Sequence, residues 1–190
     1  MTQIVSPEDF ARTFQKVVNH RKKAIKGLWD NQDAKAYTTL FVDREVGILR
    51  EVCERLGLKY ATPWWTIDAI YYEAADVENF PVAWRMAKHL CVAIEHENNV
   101  GRSHYEINKL SLFNAPLKVL IAYPSRDTGK HAESIVLSRY ARILRDADIF
   151  RNFELKLRQL VTFGSRDQNG DPVWRHHLYD GNDFGLLNIT

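Results

Sequence analysis

The stretch His89-Leu90-Cys91-Val92-Ala93-Ile94-Glu95-His96-Glu97-Asn98 decides how this chain is read. Residues 89 to 94 form an apolar run of strand length, and they lead directly into two carboxylates. Such a run predicts a strand of the core. Side chains two residues apart share a face of a strand, so Glu95 and Glu97 point the same way, about 7 Å apart. Carboxylates seldom emerge from buried sequence without a partner, which makes this strand exit the first candidate for chemistry.

Working outward, two more acids break apolar patterns. Asp68 lies within Trp64-Trp65-Thr66-Ile67-Asp68-Ala69-Ile70-Tyr71-Tyr72, a β-branched and aromatic segment expected to be a strand after Pro63. Glu45 interrupts the stripe Tyr37, Phe41, Leu49, Val52 and Leu56 of a helix expected from Asp33 to Leu56, with Gly57 as its stop. Four acids on three elements are thereby placed to converge. Four bare charges in a low-dielectric site would force protonation or unfolding. A divalent ion resolves the conflict, and hard oxygen donors select Mg²⁺, Mn²⁺ or Ca²⁺.

The remaining elements frame this centre. Ser6-Pro7-Glu8-Asp9 signals a helix start, with Phe10, Phe14, Val17, Val18 and Ile25 at helical spacing up to Gly27. Residues 58–61 predict a strand, and residues 73–88 are irregular around Asn79-Phe80-Pro81. Ser103 with Glu106 three residues on has the capping-box pattern for a helix to Phe113. Leu117 to Tyr123 predicts another strand, and residues 130–147 a helix with Ala132, Val136, Tyr140, Ile143 and Ala147 inward. Leu155 to Phe163 and Val173 to Tyr179 read as strands joined by the turn Gln168-Asn169-Gly170-Asp171. This alternation predicts an α/β (α+β) domain with a mixed central sheet flanked by helices.

The order of these segments resembles a known family. Thr66-Ile67-Asp68-Ala69, then Val92-Ala93-Ile94-Glu95-His96-Glu97-Asn98, then a helix with Glu106-Ile107-Asn108-Lys109-Leu110, then Pro116-Leu117-Lys118-Val119-Leu120-Ile121 is similar to the core of the PD-(D/E)xK restriction-endonuclease-like superfamily. The likeness covers about residues 40–124 and sets a nuclease-like core at about 37–124, with the helix 7–27 and the segment 130–190 as additions to a single domain 1–190. It implies that Asp68 and Glu95 bind metal and that the His96 backbone carbonyl is a further ligand, with Glu45 as the acid on the preceding helix. The chain departs from the family where a lysine is usual two residues after the glutamate: Glu97 stands there. Some members carry Glu at that place, and others move the lysine to the following helix, where Lys109 lies. Glu97 is the expected working group, since its placement needs only the strand period.

Taken together, the residues point to a Mg²⁺- or Mn²⁺-dependent endonuclease acting on DNA. A homodimer would supply two sites for two strands. The alternative is a nuclease-fold module that binds nucleic acid or assembles a complex without catalysis, which the departure at Glu97 supports.

Composition bounds the rest. The chain has 190 residues with 45% hydrophobic and 26% charged side chains, which excludes disordered and low-complexity classes. No apolar run approaches the roughly 18 residues of a membrane span. The N-terminal residues lack a basic segment followed by an apolar one, so no secretory signal is expected. Cys53 and Cys91 sit in apolar sequence, as free thiols of a reducing cytoplasm do. Net charge is +2, so any nucleic-acid contact depends on local clusters, and Arg21, Lys22, Lys23 and Lys26 form the densest one. The histidines and cysteines lack zinc-ligand spacing, and adjacent His176 and His177 face opposite sides of a strand.

Overall fold

A computed structural model describes residues 4–31, 33–73, 90–124, 129–146 and 158–189, without the side chains of 129–132. Its elements in chain order are α1 (Pro7–His20), α2 (Lys22–Asp30), α3 (Ala34–Val42), α4 (Ile48–Arg55), β1 (Lys59–Ala61), β2 (Ala69–Tyr72), β3 (Leu90–Glu97), α5 (Ser103–Ser111), β4 (Leu117–Ala122), α6 (Gly129–Asp146), β5 (Arg158–Arg166), β6 (Pro172–Tyr179) and β7 (Phe184–Leu186). Among the described residues the strands form a seven-stranded sheet in sequence order. β3, β4 and β5 run parallel, and the other neighbours pair antiparallel. The chain is thus mixed α/β, with helices flanking one mixed sheet.

Parallel strands joined by crossover helices need cover on both faces, so their sequences are continuously apolar. β4 is buried at every residue from Leu117 to Ala122. Its side chains alternate between two cores. Val119 and Ile121 meet Phe10, Phe14, Phe41 and Leu49 beneath α1–α4. Leu120 and Ala122 meet Ile107, Leu110, Leu137 and Tyr140 beneath α5 and α6. β3 follows the same alternation, with Ile94 in the first core and Ala93 in the second.

Several boundaries differ from the sequence expectations. The Asp33–Leu56 helix is two helices, because the Asp43 carboxylate accepts the amides of Glu45 (2.7 Å) and Val46 (2.8 Å) and so turns the chain. Gly47 completes that turn, since a Cβ there would lie 2.5 Å from the Asp43 carbonyl. Ser6 caps α1 as expected, its hydroxyl accepting the Asp9 amide at 3.0 Å. The N-terminal helix, however, breaks at Arg21 and resumes as α2, which carries Gly27 in its interior. Residues 62–68 are a loop, so Asp68 immediately precedes a strand instead of lying within one.

On α6 the buried residues are Glu133, Leu137, Tyr140 and Ala141, one position away from much of the expected stripe; the side chain of Ala132, and Ala147, lie outside the described residues. Residues 74–89, which include most of the expected irregular segment, and residues 155–157 of the expected fifth strand also lie outside them. β7 has no counterpart in the sequence reading. Cys53 and Cys91 are both buried. Among the described residues no helix is long and apolar enough to cross a membrane.

Gly164 on β5 tests the packing of Tyr123, just past β4, and Trp174 of β6 over the strand between them. A Cβ at this position would lie 2.6 Å from the Trp174 ring and 2.7 Å from the Tyr123 ring, both in crowded aromatic surroundings. Gly164→Ala is expected to destabilise the fold by about 1–3 kcal/mol, the usual scale of core overpacking. Urea unfolding followed by tryptophan fluorescence measures it.

Candidate active site

β3 sets the site through its alternation. Glu95 follows Ala93 toward α5, and its side chain is only 2% exposed. His96 points the other way, stacked on Phe41 with ring centroids 4.8 Å apart. Its Nε2 lies 2.8 Å from the Tyr123 hydroxyl. Burial pushes the His96 imidazole down to about 3, so the ring is neutral. That ring therefore stands on the opposite face from Glu95. Only the backbone of His96 reaches the acidic side: its amide donates to Asp68 Oδ2 at 2.8 Å.

Asp68 occupies a strand end. The last ladder partner of β3 on this edge is Ala69, opposite Ile94. Two residues further along β3, the Asp68 carboxylate takes the His96 amide that a longer β2 would have paired. Its carboxyl also lies near enough to Glu95 for the two acids to influence each other. Burial raises Asp68 above the usual carboxylate range, against the hydrogen bond from His96 and the contact with Glu95, both of which lower it. Burial, followed by the charge of Asp68, pushes Glu95 up to about 9. The pair therefore holds a proton near neutral pH.

Lys109 completes the cluster from α5. Its ammonium lies 2.9 Å from Glu95 Oε1 and 2.5 Å from Glu106 Oε2, and it donates to the Thr66 carbonyl at 2.8 Å. Burial alone would lower Lys109, but Glu106 and Glu95 outweigh it and hold the ammonium above its usual value. Glu106 is the member that sequence reasoning missed. It was read as half of a capping box with Ser103, yet Arg102 occupies the cap position. Ser103 turns its hydroxyl to Val100 and Tyr140 instead. The signal for Glu106 was its spacing of three from Lys109, which places the two on one helix face.

The other expected site residues stand apart. Glu97 shares the Glu95 face but is half-buried, and its Oε1 accepts the Asn99 amide at 2.7 Å. Glu45 is a correction: it is exposed in the turn between α3 and α4, which pack on the face away from Glu95. The basic cluster is largely paired. Arg21 meets Glu51 at 3.1 Å, while Lys22 and Lys26 meet Asp171 at 2.7 Å and 3.0 Å. Lys23 is exposed. These pairs tie α2 to α4 and to the β5–β6 turn. His176 bonds Thr162 at 3.0 Å while His177 lies toward Glu133, confirming their opposite faces.

The donor set of Asp68, Glu95 and Glu106 consists of hard oxygens, which suits Mg²⁺ or Mn²⁺ in chemistry. One ammonium faces three carboxyl groups, so a further cation or a bound proton is needed for balance. Among the described residues, however, no group of three or more His, Cys, Asp or Glu side chains is arranged to hold a metal ion. Comparison with family models, curated proteins and solved structures gives no match.

The proton on Glu95 has a thermodynamic consequence. Between its usual 4.5 and its folded value near 9, the unfolded chain has released the proton and the folded chain keeps it. The unfolded state then binds fewer protons, so folding stability falls as pH rises across that window, by at most about 1.4 kcal/mol per unit for one group. Glu95→Gln mimics the protonated carboxyl. Its advantage over wild type is expected to grow from pH 5.5 to pH 8. Equal slopes of stability against pH in urea titrations would refute this assignment.

Proposed function

We propose that this chain is a divalent-metal-dependent endonuclease acting on DNA, with Asp68, Glu95 and Lys109 as its working residues. The observation that carries this reading is the buried Glu95, beside the half-buried Asp68, in an ion pair with a lysine from the next helix. Acids pushed up by burial, as both are, and by a neighbouring carboxylate, as Glu95 is, are characteristic of functional sites. The order strand, acid-bearing strand, helix, parallel strand also supports the resemblance to the PD-(D/E)xK superfamily, in the variant whose lysine has moved to the following helix. Asp68 and Glu95, with the His96 carbonyl, would hold Mg²⁺ or Mn²⁺, which when bound supplies positive charge to polarise a scissile phosphate.

The protein's own groups then have separate tasks. Glu95 gives up its proton as the acids become fully anionic. Lys109 stabilises charge developing on the phosphate oxygens. The Thr66 carbonyl and Glu106 hold the ammonium in place. Glu97, engaged with the Asn99 amide, is less favoured for catalysis than the sequence suggested. Two copies acting together would cut two strands.

A second reading has its own support. Lys109 already neutralises part of the acid cluster without a metal, which suits a nuclease-fold module that binds nucleic acid and does not cleave it. Supercoiled plasmid incubated with the protein in Mg²⁺ or Mn²⁺, against an EDTA control, separates the two. The endonuclease reading expects nicked and linear product only with metal. Asp68→Ala and Glu95→Ala should abolish it, and Lys109→Met should reduce it by roughly a hundredfold or more, the scale of a lost electrostatic stabiliser. Glu97→Gln should change it little. Absence of cleavage alongside retained DNA binding would favour the inactive module.

A further inference from the structure

The turn before Asp68 contains a residue that stability alone does not explain. Trp64 and Ile67 exchange two backbone hydrogen bonds of 2.9 Å each, closing a tight turn with Trp65 and Thr66 at its tip. Trp65 has φ +54°, in the left-handed region where a side chain as bulky as tryptophan is strained. Glycine or asparagine is the ordinary choice there. The Trp65 side chain is also 83% exposed, so the indole gains little from burial. Backbone strain and an unburied aromatic ring thus fall on one residue, and such coincidences concentrate at functional sites.

This turn is tied to the acid cluster. The carbonyl of Thr66, next to Trp65, accepts the Lys109 ammonium that also meets Glu95 and Glu106. Asp68, three residues after Trp65, accepts the His96 amide. Three residues of chain span at most about 11 Å, a few nucleotide steps along a strand at about 3.4 Å each. Tyr105, 66% exposed, lies one helical turn before Lys109 and adds a second aromatic ring to α5 near the cluster.

We propose that Trp65 is a base-stacking residue that seats an unpaired nucleobase beside the Asp68–Glu95 pair. This rests on the reading of that pair as a phosphodiester site. Every base has a face that an exposed indole can cover, so the contact selects unpaired strands without selecting sequence. The substrate class it implies is nucleic acid with a single-stranded or frayed segment at the cleavage point.

The test is binding of the full chain, in EDTA so that no strand is cut. The probes are a fluorescein-labelled oligothymidylate, an abasic strand of equal length and a blunt duplex, followed by fluorescence anisotropy. Trp65→Gly accepts the left-handed backbone and is expected to fold; Trp65→Leu removes the aromatic ring without adding chain freedom. Both are expected to bind the oligothymidylate about tenfold to a hundredfold more weakly than wild type. Trp65→Phe should retain most of the affinity, and all variants should match wild type on the abasic strand and the duplex. Unchanged affinity for the oligothymidylate in both Gly and Leu variants would overturn the stacking role while leaving the plasmid assay as evidence for the acid pair. Equal losses on abasic and thymidine strands would overturn it too, as a backbone contact. Wild type that binds none of the three probes would overturn both this proposal and the nucleic-acid reading beneath it.

Discussion

The ammonium of Lys109 touches Glu95 on β3, Glu106 on its own helix and the Thr66 carbonyl in the turn before β2. The acid cluster depends on this one charge. Glu95 is almost wholly buried and borders a second carboxyl group, an arrangement whose desolvation and repulsion would otherwise oppose folding. A cation on one side and a proton retained on Glu95 reduce that cost. The lysine also joins three pieces of chain, so the helix α5, the strand β3 and the 62–68 loop have fixed relative positions where the acids meet.

The parallel centre of the sheet explains how such a cluster is sheltered. β3, β4 and β5 are buried on both faces, which demands two layers of helices. Strand alternation then separates two kinds of surroundings within adjacent residues. Glu95 enters the α5 side among carboxylates and a lysine. His96 enters the α1–α4 side among Phe41, Tyr37 and Tyr123, where burial keeps it neutral. The backbone amide of His96 spans the two by donating to Asp68.

Several ion pairs that look like candidate surfaces in the sequence are structural seams. Lys22 and Lys26 clamp Asp171 of the β5–β6 turn, and Arg21 and Arg55 share Glu51 on α4. Glu133 and Arg175 pair between α6 and β6, with Ser165 completing the arginine's contacts at 3.0 Å. A cluster of cations along a helix therefore says little about nucleic acid until its partners are known. Here the partners of three of the four cations lie elsewhere in the chain, Glu51 on α4 and Asp171 in the distant turn.

The sequence by itself determined the class of fold and singled out Asp68 and Glu95, two acids of the cluster. The apolar run at residues 90–94 and the run at 117–122, broken only by Lys118, specify strands covered on both faces, and the period of two puts Glu95 on a definite side. Asp68 was legible as an acid in apolar surroundings, although the strand around it begins one residue later. Contacts across elements were not legible. Whether Lys109 or Glu97 joined Glu95 depended on how α5 docks, and docking is set by Ile107 and Leu110 packing beneath the sheet rather than by any local pattern. Glu45 failed because the side chain of Asp43 competed with the helix, a local hydrogen bond that hydrophobic period does not register. Glu106 was hidden for a related reason. Its spacing satisfies both a helix cap and a lysine pair, and only the tertiary position of Lys109 between the carboxylates selects the second.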